Sequence, residues 1–121
     1  MNSEQRGSRH IDYLGHMLDA LRLARSYIEG QKKGDFLEDR KTQQAVILNI
    51  LIIGKAATKL ANEHPEFVSR HPAFPWKQMR GMRNRMAHGY FEINLDIVWE
   101  TVQQSLPELE QQIHQLMQQA E

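Results

Sequence analysis

WKQMRGMRNRMAHG, residues 76–89, decides the fold and carries most of the chemistry. Wound as a helix at about 100° per residue, it gathers Met79, Met82 and Met86 on one side. With Arg80 at zero, Asn84 falls near about 40°, His88 near 80°, Ala87 near −20° and Arg83 near −60°. The thioether side fits a packed interior. The other side presents guanidiniums, an amide and an imidazole to solvent. Pro75 suits the first turn of this helix, and Gly89 suits its end.

The same period continues in both directions. Upstream, Ile11, Leu14, Leu18, Leu21 and Ile28 recur at three- and four-residue steps, and Gly30 and Gly34 bracket the exit from that helix. Asp35, with Glu38 three positions on, predicts the start of a second helix. It runs through Val46, Leu48, Ile50, Ile53 and Leu60 to about His64, where Pro65 stops it. Its middle is apolar nearly all round, which marks the central helix of a bundle. The connection HPEFVSRHPAFP, residues 64–75, has room for one short helical turn.

Downstream, a helix beginning near Asn94 or Asp96 places Val98, Val102, Leu106, Leu109, Ile113 and Leu116 on one side. Pro107 interrupts it, and Ser105 with Glu108 reads as a fresh capping box, so a kink or a restart is expected there. No stretch alternates with the period of a strand. The expected fold is all-α: a bundle of four to five helices in a single domain spanning residues 10–121, after a flexible segment at 1–9.

The 121 residues are 40% hydrophobic and 25% charged, ordinary for one globular domain. Cysteine is absent, which excludes a disulfide framework, a thiolate metal site and a cysteine nucleophile. The net charge is zero, but it is unevenly spread. Residues 67–91 hold Arg70, Lys77, Arg80, Arg83 and Arg85 and no acid; from Met86 onward there are acids and neither Lys nor Arg. A local cationic face holds anions even on a neutral protein. The N-terminus lacks an apolar signal region, and the longest greasy run, 45–53, contains Asn49 and is shorter than the ~20 residues needed to cross a bilayer. A cytoplasmic protein with no membrane partner is expected.

Arg offers a planar fork of donors to phosphate oxygens, and His exchanges protons near neutral pH. Together they suit metal-free RNA cleavage, in which a ribose 2′-OH attacks the neighbouring phosphorus and Arg stabilises the charge that builds on it. Arg83 and His88 are about 140° apart on a straight helix. Their heads meet only if the helix ends before His88 or a second subunit completes the site. The plainer alternative is a solvated helix face. His10, His16, His64, His71 and His114 lack metal-ligand spacing and read as surface or capping groups. Asn49 is expected to bond across the bundle, and Tyr13 and Tyr27 to be structural. The C-terminal acids are either solvated or partners of the basic window. Neither a metal site nor a cofactor is expected.

RNRMAHGY, residues 83–90, fits R-x4-H-x-Y at a helix end, and FEINLDIVWETVQQSLPEL follows it. With AVILNILIIGKAATKLANEHPEF upstream, the chain resembles the HEPN superfamily, and within it the HepT-like toxins of HEPN–MNT toxin–antitoxin pairs, over about residues 10–118. The resemblance implies a HEPN-type bundle that forms a homodimer and joins two motifs at one cleft. Arg83 and His88 then correspond to the catalytic pair of a metal-independent endoribonuclease, and Asn84, inside the motif, to an RNA-positioning group; Arg80, on the same helix face, is expected to bind substrate beside it. Tyr90 corresponds to the residue that a minimal nucleotidyltransferase antitoxin modifies with AMP in a type VII-like pair, placing bulk and negative charge where RNA phosphate must sit. Lys55, in Ile53-Gly54-Lys55-Ala56, stands where the family often has an acid. The rival expectation is a non-catalytic module that docks a nucleotide or a nucleotidyltransferase.

Overall fold

A computed structural model describes residues 3–120, with side chains for 10–89 and 91–119. Helix α1 spans Ser3–Tyr27, α2 Lys33–Glu38, α3 Arg40–Glu63, α4 Pro65–Arg70 and α5 Trp76–His88. A 3-10 turn at Tyr90–Glu92 leads to α6, Leu95–Glu100, which passes through a π-helical turn at Thr101–Ser105 into α7, Leu106–Ala120. The described residues contain no strand. The fold is the expected all-α bundle: α3 packs between α1 and α5, and α7 lies along α1.

The core follows the apolar periodicity. Leu14, Met17 and Leu21 of α1 meet Val46 and Leu60 of α3, with Val98, Val102 and Ile113 closing from the C-terminal helices. Burying a Leu or Ile of this kind stabilises by about 1.5–3 kcal/mol. Met79 and Met86 are buried and Met82 partly so, as the thioether stripe predicts. By length and hydropathy α3 alone among the described helices could cross a membrane, but half of its apolar window is buried inside the bundle. The shorter run at 45–53 understated that helix.

Local structure refines expectation or departs from it in four places, each with a physical cause. The second helix is two. Asp39 accepts from Thr42 N at 3.1 Å and Thr42 Oγ1 at 2.6 Å, capping α3, while Asp35 reaches back to Lys32 N at 3.0 Å to open the short α2. The break expected at Pro107 takes the form of a π turn, after which α7 starts at Leu106. Leu106 N–H reaches the Thr101 carbonyl, five residues back, and this wider turn admits a residue that has no N–H to give. Asn49 bonds its own helix, donating to the Ala45 carbonyl at 2.9 Å. Finally, His10, His64 and His71 are not scattered: His10 and His71 stack on Phe67 at 4.8 and 4.7 Å, and His10 meets His64 edge-on at 5.5 Å.

The chain reverses between α1 and α2 at Gly30, whose φ of +81° is open to glycine at little cost. Asn94 caps α6 by accepting from Asp96 N at 3.0 Å and Ile97 N at 3.3 Å. The start of α6 lies beside the end of α5, where Asn94 and Ile97 face the same cavity as Met86 and Gly89.

Candidate active site

At Gly54 the helix α3 lies close against the motif. A Cβ added to Gly54 of α3 would stand 2.2 Å from Arg83 Cβ, 2.7 Å from Arg83 Cγ and 3.2 Å from the Met79 carbonyl oxygen. The stem of Arg83 therefore rests on the α3 backbone, where only hydrogen at position 54 leaves room. Arg83 is half-buried there, and its Nη1 donates to Asn84 Oδ1 at 3.2 Å. The sequence held a signal for this contact. A glycine inside a strongly apolar helix costs about 1 kcal/mol against alanine, so it marks either a tight approach or a functional need. Lys55 is exposed on the solvent side of α3.

Arg80, Asn84 and His88 are exposed and follow one another at four-residue steps, with Lys77 exposed near the same line. They form one outward stripe on α5. Arg83 is not on it, because it leans against α3. Helix α5 continues through His88 and ends at Gly89, whose N–H bonds the Arg85 carbonyl at 2.9 Å. The helix does not end early, so the first of the two ways to bring the pair together is absent. Within one chain, the side chains of residues 83 and 88 leave the helix about 140° apart. The backbone of residue 90 begins the 3-10 turn directly after this helix end; the Tyr90 side chain lies outside the described residues.

Charge at the site differs from charge elsewhere. Among the described residues, none of Lys77, Arg80, Arg83 and Arg85 forms an ion pair. Two of the C-terminal acids, Glu110 and Asp96, are engaged away from this basic window. Glu110 takes Arg22 at 3.1 Å and Arg25 at 2.5 Å, and Asp96 takes Lys33 at 2.9 Å. Burial pushes the Glu110 carboxyl up, but the hydrogen bonds from Arg22 and Arg25 outweigh it and hold it below the ordinary range. The cations of α5 are thus left for an anion from outside the chain. Among the described residues no cluster of three His, Asp or Glu side chains is placed to hold a metal ion.

An all-helical bundle with R-x4-H-x-Y closing an amphipathic helix defines a HEPN-type protein. The sequence profile of the HepT-like family, described as ribonuclease HepT-like, matches residues 17–116, and the chain belongs to that family. It is 36% identical over 107 residues to the probable ribonuclease HepT of Thermococcus cleftensis, covering 88% of this chain and 94% of the relative. A candidate RNase of Caldanaerobacter subterraneus subsp. tengcongensis is 35% identical over 106 residues, covering 88% and 92%. In Methanocaldococcus jannaschii a protein named as a gamma-glutamylcyclotransferase and candidate RNase is 33% identical over 105 residues, which is 87% of this chain and 46% of that one. No solved structure is a significant match.

Proposed function

We propose that the chain is a metal-independent endoribonuclease acting as the toxin of a toxin–antitoxin pair, with each active site shared between two copies. The observation that carries this reading is the arrangement on α5: Arg83 seated on α3 without a carboxylate partner, and His88 exposed on a different side of the same helix. The names of the relatives support RNA as the substrate.

In the reaction, a general base takes the proton of a ribose 2′-OH, and the oxygen attacks the adjacent phosphorus. The P–O5′ bond breaks and the leaving 5′-oxygen is protonated. The products are a 2′,3′-cyclic phosphate and a 5′-hydroxyl. His88 is the proton-exchanging group, and Arg83 stabilises the charge on the non-bridging oxygens. Arg80 and Asn84 hold flanking phosphate and sugar. Leu48 and Ile52, exposed on α3 at 57% and 39%, supply apolar surface for the second copy. AMP transferred to Tyr90 by a nucleotidyltransferase antitoxin would add negative charge to the turn that follows His88, so RNA phosphate is repelled and the toxin is silenced. The place of action is the cytoplasm.

The test is cleavage of a short single-stranded RNA in EDTA, with product ends identified by mass. The expected result is a 2′,3′-cyclic phosphate, and no cleavage when the scissile ribose is 2′-deoxy. A 3′-hydroxyl product, or cutting of the deoxy substrate, contradicts the mechanism. The divergence of Arg83 and His88 within one chain also favours a second reading: a non-catalytic module whose basic face docks a nucleotidyltransferase. Tight capture of such a partner without RNA turnover would select it.

A further inference from the structure

Further along α5, past the Gly54 contact, a cavity of about 280 Å³ opens beside the end of the motif. Gly89, the residue after His88, forms part of its wall. Its floor is apolar, from Met86, Ile93, Ile97 and Val98, and its rim carries Arg85 and Glu92. Glu92 and Phe91 both belong to the 3-10 turn that follows the motif, and the Phe91 ring is 99% exposed. An apolar floor with a charged rim matches the two faces of a nucleobase: a flat surface to bury and a polar edge to read. Arg85 makes no ion pair among the described residues, so it is available to the phosphate of the same nucleotide.

We infer that this cavity is a base-recognition subsite for single-stranded RNA, holding a nucleotide next to the scissile bond and favouring guanine. The inference rests on the ribonuclease reading and adds the source of its sequence preference. Glu92 is a pure acceptor when ionised, so its two oxygens take the N1–H and the exocyclic amine of guanine side by side, whereas adenine and cytosine offer it an amine alone and uracil its N3–H alone. Phe91 stacks a neighbouring base, which every base face permits, and so it adds affinity without selectivity. The charge of the surroundings fits this occupant: residues 67–91 carry five cations and no acid.

The test is fluorescence anisotropy with 2′-O-methyl RNA oligomers of uracil, which cannot be cleaved, carrying one central A, C, G or U. This binding measurement stands apart from catalysis. The wild-type chain should bind the G-bearing oligomer about tenfold more tightly than the others. Glu92→Gln, which replaces one acceptor oxygen by a donor, should erase that gap. Ile97→Trp, at a half-exposed position, should fill the cavity and weaken the G-bearing oligomer to the level of the others. Equal binding of all four oligomers by the wild-type chain, or an unchanged gap in Glu92→Gln, overturns the subsite. If Ile97→Trp disrupts self-association in sedimentation while the base preference persists, the cavity is a contact between copies and the inference fails. Loss of cleavage chemistry with this base preference intact would instead strike the ribonuclease reading alone.

Discussion

Two groups of arginines stand at different places in the bundle and behave in opposite ways. Arg22 and Arg25 on α1 converge on Glu110 of α7, binding helices whose contacts span more than half the chain. Arg80, Arg83 and Arg85 on α5 have no carboxylate partner among the described residues. The first group spends its charge inside the molecule and should matter to stability. The second has no carboxylate partner among the described residues, which leaves it open to an outside anion. The contrast separates structural from functional charge without reference to sequence motifs.

The largest effect should come from the α5 side. Arg83→Ala and His88→Ala should each lower RNA cleavage by ~10²–10⁴-fold, with little change in melting temperature. Cleavage rate measured beside thermal unfolding checks this, and a variant that keeps its rate breaks the contrast. Salt comes next. RNA affinity should fall roughly twentyfold for a fourfold rise in salt if about three phosphates are neutralised, while the melting temperature hardly moves. A flat salt dependence of binding would remove the outside anion from the account.

Glycines sharpen the comparison at a smaller scale. Gly54→Ala forces its new methyl into Arg83 and should destabilise by about 1–3 kcal/mol, reduced by the helix gain of alanine. Gly81→Ala, on the same helix as Arg83 but with nothing within 4 Å of the added carbon, should instead stabilise by about 0.5–1 kcal/mol. Denaturant unfolding of the pair reads the difference, and equal shifts would mean that Gly54 is not a contact glycine.

The smallest effect belongs to α1 and α7. Glu110→Gln should cost about 0.5–1 kcal/mol and leave RNA cleavage unaltered, because both arginine partners are largely solvent-exposed. Its acid dependence has a definite sign. The Glu110 carboxyl lies below its ordinary value in the fold, burial being outweighed by the two arginines. Its stabilisation is therefore complete above the unfolded value of about 4.3 and is lost as pH falls through the lower folded value. The acid limb of the stability curve should be shallower in Glu110→Gln, and an identical limb in both proteins would show that the pair contributes nothing.

Much of this was legible in the sequence because it is local. Methionines at three- and four-residue steps declared the buried side of α5, and Gly89 declared its end. The two caps before α3 were not separable, since Asp35 and Asp39 are four residues apart and the apolar period runs on past both. The π turn at Thr101–Ser105 was hidden for a different reason. Pro107 announces a missing donor, but whether the helix breaks or widens depends on packing that no local pattern records. The seat of Arg83 on Gly54 joins two helices, and the tie from Arg22 and Arg25 to Glu110 joins the two ends of the chain. Both become readable only when the helices are set side by side.

The claim that each site takes Arg83 from one copy and His88 from another is tested most directly by mixing two inactive proteins, Arg83→Ala and His88→Ala, under conditions that allow subunits to exchange. A shared site predicts recovery to about a quarter of wild-type cleavage, since half of the random dimers regain one of two sites. Cleavage that stays at the level of the separate variants, with exchange verified, would contradict it.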